Sequence, residues 1–338
     1  MSPLPVSSTI ARVKPRALQA GDTIGIVAPA SNLKPELLAA GCAALQRLGY
    51  KPFYLDSILE QDLYFAGSVN RRARELEAMF TGEDVRAIVC ARGGYGANYL
   101  LPHLDLAKIK AHPKIFVGYS DITTLLTYFT DATGLVTFHG PMVTKDFAHS
   151  DGVDLPSWEA MLHGTSEPGW DLGPDSGAKP LLEGSGEGLL YGGCLSMLVA
   201  SLGTPYEIHT EGTILFLEDV ATKPYQIDRM LTHLKLAGKL GGVRGIVFGE
   251  MLDCAQNPDP ARTGRDQGYT LEEVILRVVG DLGIPLAYGL RSGHVSRGNV
   301  TLALGIRTKL NVTSSQVSLH VLERPTTPAA VSAPASNS

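Results

Sequence analysis

Short apolar runs alternate with amphipathic stretches along the first half of the chain, and few folds can accommodate that regularity. Residues 23–28 suit a buried strand, and residues 35–48 follow with helical periodicity, opened by Pro35 and closed by Gly49. The unit then repeats. Residues 51–55, 85–90, 114–117 and 135–138 are strand-like, and residues 70–80 and 121–131 are helical. Strands separated by helices predict an α/β fold with a parallel sheet covered on both faces. Between about 150 and 187 the composition shifts to Gly, Pro, Ser and Asp, with short apolar pieces such as 158–162. Beyond lies a less regular mixture. A glycine-rich turn and apolar helix over 192–202 precede strands at 213–217, 245–248 and 285–288, helices at 226–237 and 271–279, and strand-like segments at 300–304, 308–312 and 317–321. The expected organisation is a flexible N-terminus (1–13), a parallel-sheet domain (14–150), a linker (151–187), a mixed α+β domain (188–323) and a disordered Pro/Ala/Thr/Ser tail (324–338).

A chain of 338 residues, 44% of them hydrophobic, can fill such cores without covalent staples. The net charge of −5, with no basic block longer than a pair, argues against nucleic-acid or acidic-membrane partners. No window reaches membrane-spanning length. Cys42, Cys90, Cys194 and Cys254 stand far apart without a C-x-x-C pair, which predicts buried free thiols. The first twenty residues carry Arg12, Lys14 and Arg16 but no continuous apolar stretch, so a signal peptide is not expected. A cytoplasmic protein acting on a small molecule or peptide fits these properties.

The strand at 114–117 breaks at Gly118, and a helix begins directly after Ser120. A serine on a strand-to-helix turn projects its hydroxyl from the fold, and the first free N–H groups of the helix face any oxygen that becomes negative during acyl transfer. The plainer reading makes Ser120 only the N-cap of a helix starting at Asp121. A serine nucleophile needs a base, and the base needs an orienting acid. Glu218 ends the apolar run 213–217, where its carboxylate would emerge at a strand's C-terminal edge; His294 sits in the glycine-flanked loop 289–295 after the strand at 285–288. Ser, Glu, His is an order that hydrolases use. Each partner has an ordinary alternative: Glu218 with Asp219 as a solvated turn or cap, His294 as a structural histidine. His139 also follows a strand and competes for the same cleft.

Three glycines in the run Arg92-Gly93-Gly94-Tyr95-Gly96 permit positive φ angles and close backbone approach, so their N–H groups can form an anion nest. In a serine hydrolase, Gly93 or Gly94 and the N–H of Asp121 would make the oxyanion hole. Arg92 is a candidate grip for a substrate carboxylate, or else a surface arginine; Gly93 and Tyr95 complete the candidate binding turn. A dinucleotide fingerprint fits poorly, because Tyr99 stands where G-x-G-x-x-G requires glycine. Neither metal-ligand spacing nor a P-loop lysine is present, so no cofactor and no metal are expected.

Four motifs in order resemble one known family. They are the run 91–96, the run 117–123, Phe216-Leu217-Glu218-Asp219-Val220 with Tyr225, Ile227, Asp228 and Arg229 downstream, and Gly293-His294 before Asn299-Val300-Thr301-Leu302. From about Lys14 to Val321 the chain resembles the LD-carboxypeptidases, cytoplasmic serine peptidases of murein recycling. The resemblance implies a Rossmann-like N-terminal domain with the nucleophile, a mixed C-terminal domain with Glu and His, and a cleft between them. It implies hydrolysis of the amide between the L-centre of meso-diaminopimelate and terminal D-alanine in murein tetrapeptide, often by a homodimer. Matched by position, Ser120 is the nucleophile, His294 the base, Glu218 its orienting acid, and Gly94 and Asp121 the backbone oxyanion donors. The loop 221–224 departs from the family in lacking an acidic residue. Rival readings are the microcin-immunity branch of the same family, which cleaves peptidyl-nucleotide amides, and a module that binds a nucleotide or murein fragment without hydrolysis. An α/β-hydrolase esterase is a third, opposed by Ile122 where G-x-S-x-G needs its second glycine.

Overall fold

The computed structural model describes residues 10–164, 171–172, 176–255 and 268–328. The alternating first half gives β1 (Thr23–Val27), α1 (Pro35–Arg47), β2 (Lys51–Phe53), α2 (Val69–Thr81), β3 (Val85–Cys90), α3 (Leu106–Ala111), β4 (Ile115–Gly118), α4 (Thr123–Thr133), β5 (Thr137–His139) and α5 (Leu155–Leu162). Local chemistry sets several of these ends. Pro35 opens α1, Ser68 caps α2 by accepting the Arg71 N–H, and Gly134 at φ +81° closes α4. The second half supplies β6 (Lys179–Leu182), β7 (Gly184–Cys194), α6 (Leu195–Ala200), β8 (Thr213–Glu218), α7 (Pro224–Leu236), β9 (Gly245–Gly249), α8 (Leu271–Val279), β10 (Leu286–Leu290), β11 (Leu302–Leu304), β12 (Arg307–Val312) and β13 (Val317–Val321).

Two sheets result. The first has the order β11-β5-β4-β3-β1-β2; β1 to β5 run parallel, and β11 pairs antiparallel with β5 at its edge. The second has the order β13-β12-β7-β8-β9-β10-β6, with β7 to β10 parallel and antiparallel strands outside them. β12 also comes against β6, so this sheet curls. The expected fold class holds: a parallel doubly wound sheet followed by a mixed one. In parallel sheets the loops beyond the strands' C-terminal ends gather into a crevice, and here the ends of β3, β4, β8 and β10 carry the candidate residues.

Several expected boundaries need correction. The stretch 151–187 is not a bare linker: it holds α5, whose Trp158 is buried, then β6 and the start of β7. β7 hides because glycines replace apolar residues along it. A Cβ at Gly186 would lie 1.9 Å from the Arg244 carbonyl oxygen and one at Gly188 2.3 Å from that of Gly212, so only glycine allows the backbone this close. The segment at 300–304 contributes β11 to the first sheet instead of staying with its own half. At the N-terminus, Val13 is already tied down by its N–H to the Gly134 carbonyl at 2.8 Å. Residues 324–327 do not begin a loose tail, since Thr326 is buried and the Thr327 N–H donates to the Pro15 carbonyl at 2.8 Å. The remainder of the expected tail, 329–338, and residues 1–9 lie outside the described residues.

Candidate active site

Ser120 leaves β4 as the first residue of a 3₁₀ turn, Ser120–Ile122, that runs into α4. Its φ is +62°, a left-handed conformation that costs a non-glycine residue on the order of 1–3 kcal/mol. Its hydroxyl caps neither the turn nor α4, so the N-cap reading fails. Two neighbours make the turn possible by lacking a side chain. A Cβ at Gly118 would sit 2.7 Å from Cγ2 of Ile122, and one at Gly93 would sit 2.8 Å from Cβ and 3.0 Å from Oγ of Ser120, and 3.3 Å from the Asp121 nitrogen. The glycine turn after β3 therefore lies directly against the serine and the first N–H of the following turn.

Glu218 closes β8 and is fully buried. Its Oε2 accepts two hydrogen bonds from His294, from the backbone N–H at 3.1 Å and from ring Nδ1 at 2.7 Å. A carboxylate only accepts, so the short contact fixes the proton on Nδ1 and leaves Nε2 able to accept one. Glycine again makes the fit: a Cβ at Gly293 (φ +93°) would fall 2.6 Å from the Glu218 carboxyl carbon, and one at Gly249 2.6 Å from its Cβ. Burial by itself would raise the Glu218 carboxyl, but the charge and hydrogen bonding of His294, with the charge of His139 beside them, outweigh it and bring it down to about 2. Burial likewise opposes a charged His294, yet Glu218, with Asp219 and Asp146 behind it, lifts that imidazole above its ordinary value.

The chain thus brings Glu218 and His294 into direct contact. Among the described residues Ser120 makes no hydrogen bond to His294; the link is Tyr119, whose ring meets His294 edge-on at 5.1 Å between centroids. Catalytic contacts in unliganded proteins are often long and tighten when substrate binds. Asp219 is no solvated turn residue: it is buried and binds the Ser196 N–H at 2.9 Å and the Thr222 hydroxyl at 2.9 Å, clamping α6 to the end of β8.

Asp121 points its carboxylate away from the serine, to the Ala97 N–H at 2.7 Å. Burial pushes it up to about 6 against that hydrogen bond and the charge of Arg72. Gly94, at φ +110°, packs against Ser31, whose hydroxyl accepts the Tyr95 N–H at 3.1 Å. Arg92 is half-buried and donates to the Asn32 carbonyl at 3.0 Å. Tyr95 is exposed in a cluster with Tyr64, Phe65 and Tyr99. It also borders a cavity of about 380 Å³ between α4 and α6 that reaches Asp121, Met197 and Tyr206. No group of three or more metal-ligating side chains is found among the described residues.

Other residues that shape the site carry little signal in the sequence. Asn299 accepts the Gly293 N–H at 2.9 Å and donates to the buried Asp146 at 3.3 Å, holding the His294 loop against the segment after β5. Arg72, buried in α2, donates to the carbonyls of Pro29 at 2.6 Å and Gly96 at 2.8 Å and so pins the glycine turn. His139 proves to be in the cleft: it is fully buried, with Nε2 3.8 Å from Oε1 of Glu218.

Comparison with known proteins matches residues 24–140 to the LD-carboxypeptidase N-terminal domain and residues 187–310 to the LD-carboxypeptidase C-terminal domain. The chain is 38% identical over 303 residues to the Bacillus subtilis (strain 168) protein named "Probable murein peptide carboxypeptidase", covering 88% of this chain and 91% of that one. A solved structure of MccF in complex with glutamyl sulfamoyl guanosine superimposes with TM-score 0.83 at 26% identity, over 93% of this chain and 99% of that one. A muramoyltetrapeptide carboxypeptidase from Oxalobacter formigenes gives TM-score 0.76 at 30% identity, over 90% and 100%.

Proposed function

The chain belongs to the LD-carboxypeptidase family of serine peptidases, and from that premise we propose that it hydrolyses the amide between the L-centre of meso-diaminopimelate and terminal D-alanine of murein tetrapeptide. Ser120 attacks the amide carbonyl while Nε2 of His294 takes its proton and passes it to the departing D-alanine amine. Glu218 holds the Nδ1 proton and stabilises the imidazolium that forms. The N–H groups of Gly94 and Asp121 receive the oxyanion, and Arg92, Gly93 and Tyr95 border the substrate. Water then releases the acyl-enzyme. The observation that carries this reading is the 2.7 Å bond from His294 Nδ1 to a fully buried Glu218.

A role in peptidoglycan recycling by a cytoplasmic homodimer, with no nucleic-acid or membrane partner, belongs to the same proposal. Its support is the net charge of −5, four free cysteines and the family resemblance. No helix among the described residues is long and apolar enough to cross a membrane. A second reading has a specific observation in its favour, the TM-score of 0.83 to MccF with an aminoacyl sulfamoyl nucleoside bound. Mass spectrometry of the purified protein with each substrate separates them. Release of D-alanine from murein tetrapeptide supports the peptidase reading; an inert tetrapeptide together with hydrolysis of a glutamyl sulfamoyl nucleoside supports the other.

A further inference from the structure

The Glu218 carboxylate has two histidine neighbours, one from each half of the chain. His294 takes Oε2, and Oε1 faces Nε2 of His139 at 3.8 Å. Both Oε1 and Nε2 are buried, and neither has a hydrogen-bond partner among the described residues. The other side of the His139 ring is decided by a chain of contacts: Nδ1 lies 3.1 Å from the Ser292 hydroxyl, which donates its only proton to the Val300 carbonyl at 2.8 Å. Ser292 can therefore only accept from His139, so Nδ1 carries a proton. A neutral ring would then turn the bare lone pair of Nε2 toward a buried carboxylate oxygen, two acceptors facing each other in a site of low dielectric. A second ring proton removes that conflict.

We propose that His139 is a positioning residue that carries protons on both ring nitrogens and, as an imidazolium, holds Oε1 of Glu218 while His294 holds Oε2. His139 is the register partner of Gly118, two residues before Ser120, and its backbone belongs to the first sheet. Glu218 belongs to the second. The contact thus ties β5, the neighbour of the strand that leads to the nucleophile, to the strand bearing the orienting acid. It also spreads the carboxylate's charge over two imidazoles, which limits how strongly Glu218 raises the basicity of His294 and keeps that base available near neutral pH. Among the described residues the other ionisable groups facing this cluster are Asp219, Asp146, Tyr119, Cys194 and Cys254, and none is a cation that could replace His139.

The consequence for catalysis rests on the roles proposed above for Glu218 and His294, whereas the protonation state can be read without any substrate. Nitrogen-15 NMR of histidine-labelled protein at pH 7.5 is expected to show His139, assigned by its loss in His139→Gln, with both ring nitrogens protonated. A neutral tautomer of either kind overturns the proposal even if the enzyme proves to be the expected peptidase. In kinetics, His139→Gln keeps a donor near Oε1 without the charge. The acid limb of its kcat/KM profile should move upward by about half a unit or more, and kcat should fall on the order of tenfold, with KM within about twofold. An unmoved acid limb in a folded variant reduces His139 to packing and overturns the proposal.

Discussion

At the residue scale, the site is organised by what its neighbours lack. Ser120 can adopt φ +62° against the glycine turn only because Gly93 and Gly118 leave room, and Glu218 can be enclosed only because Gly249 and Gly293 do. This gives a pH prediction with a definite sign. In the proposed mechanism His294 must be neutral to accept the serine proton, and its raised pKa then places the acid limb of kcat/KM above the ordinary 6.5, with activity rising as pH rises. Glu218, held near 2 and below its ordinary 4.5, stays ionised throughout that range and adds no second limb. Its contribution to folding is present above 4.5 and is lost as pH falls toward 2. A kcat/KM profile with an acid limb well below 6.5 contradicts this account of the pair. Ser120, Glu218 and His294 were legible as candidates because each stands at the end of an apolar strand, Ser120 and His294 at glycine-marked turns. His139 met the same description, but its contact with residue 218 joins two sheets and leaves no local trace.

At the element scale, strands and helices with ordinary apolar patterning were readable to within a few residues, as β3 and α8 illustrate. β7 was not, since close backbone packing demanded glycine where a strand would normally show branched apolar residues. The same closeness places the end of β7 on α4, the helix after Ser120: the Cys194 N–H donates to the Thr123 hydroxyl at 3.0 Å, and a Cβ at Gly193 would strike that oxygen at 2.6 Å. α2 supplies another hidden support, the buried Arg72 guanidinium under the glycine turn, with Phe65 stacked on it at 4.9 Å. A basic pair at 71–72 reads as part of a charged helix face, and burial of both residues is a tertiary outcome. Arg72→Met fills similar space but leaves the Pro29 and Gly96 carbonyls without this donor, and should destabilise the protein by about 3 kcal/mol. Urea unfolding would show this as a lower midpoint at unchanged slope, accompanied by reduced kcat; wild-type stability in the variant would contradict the role.

At the scale of the whole molecule, the proposed nucleophile and base sit on different sheets, and polar contacts hold the sheets in register. Tyr191 donates to Asp131 at 2.6 Å, Asn299 reaches Asp146, and the Thr301 N–H reaches the Ser157 hydroxyl at 2.9 Å. β11 strengthens the union by returning from the second half to pair with β5. Catalysis in this account requires both halves, and its chemistry converges on one hydroxyl. The most direct test follows D-alanine release from murein tetrapeptide by wild type and Ser120→Ala at equal concentration, with circular dichroism to establish that the variant is folded. The account predicts a folded variant whose turnover is reduced by about three orders of magnitude or more. A folded variant that releases D-alanine at the wild-type rate would contradict it.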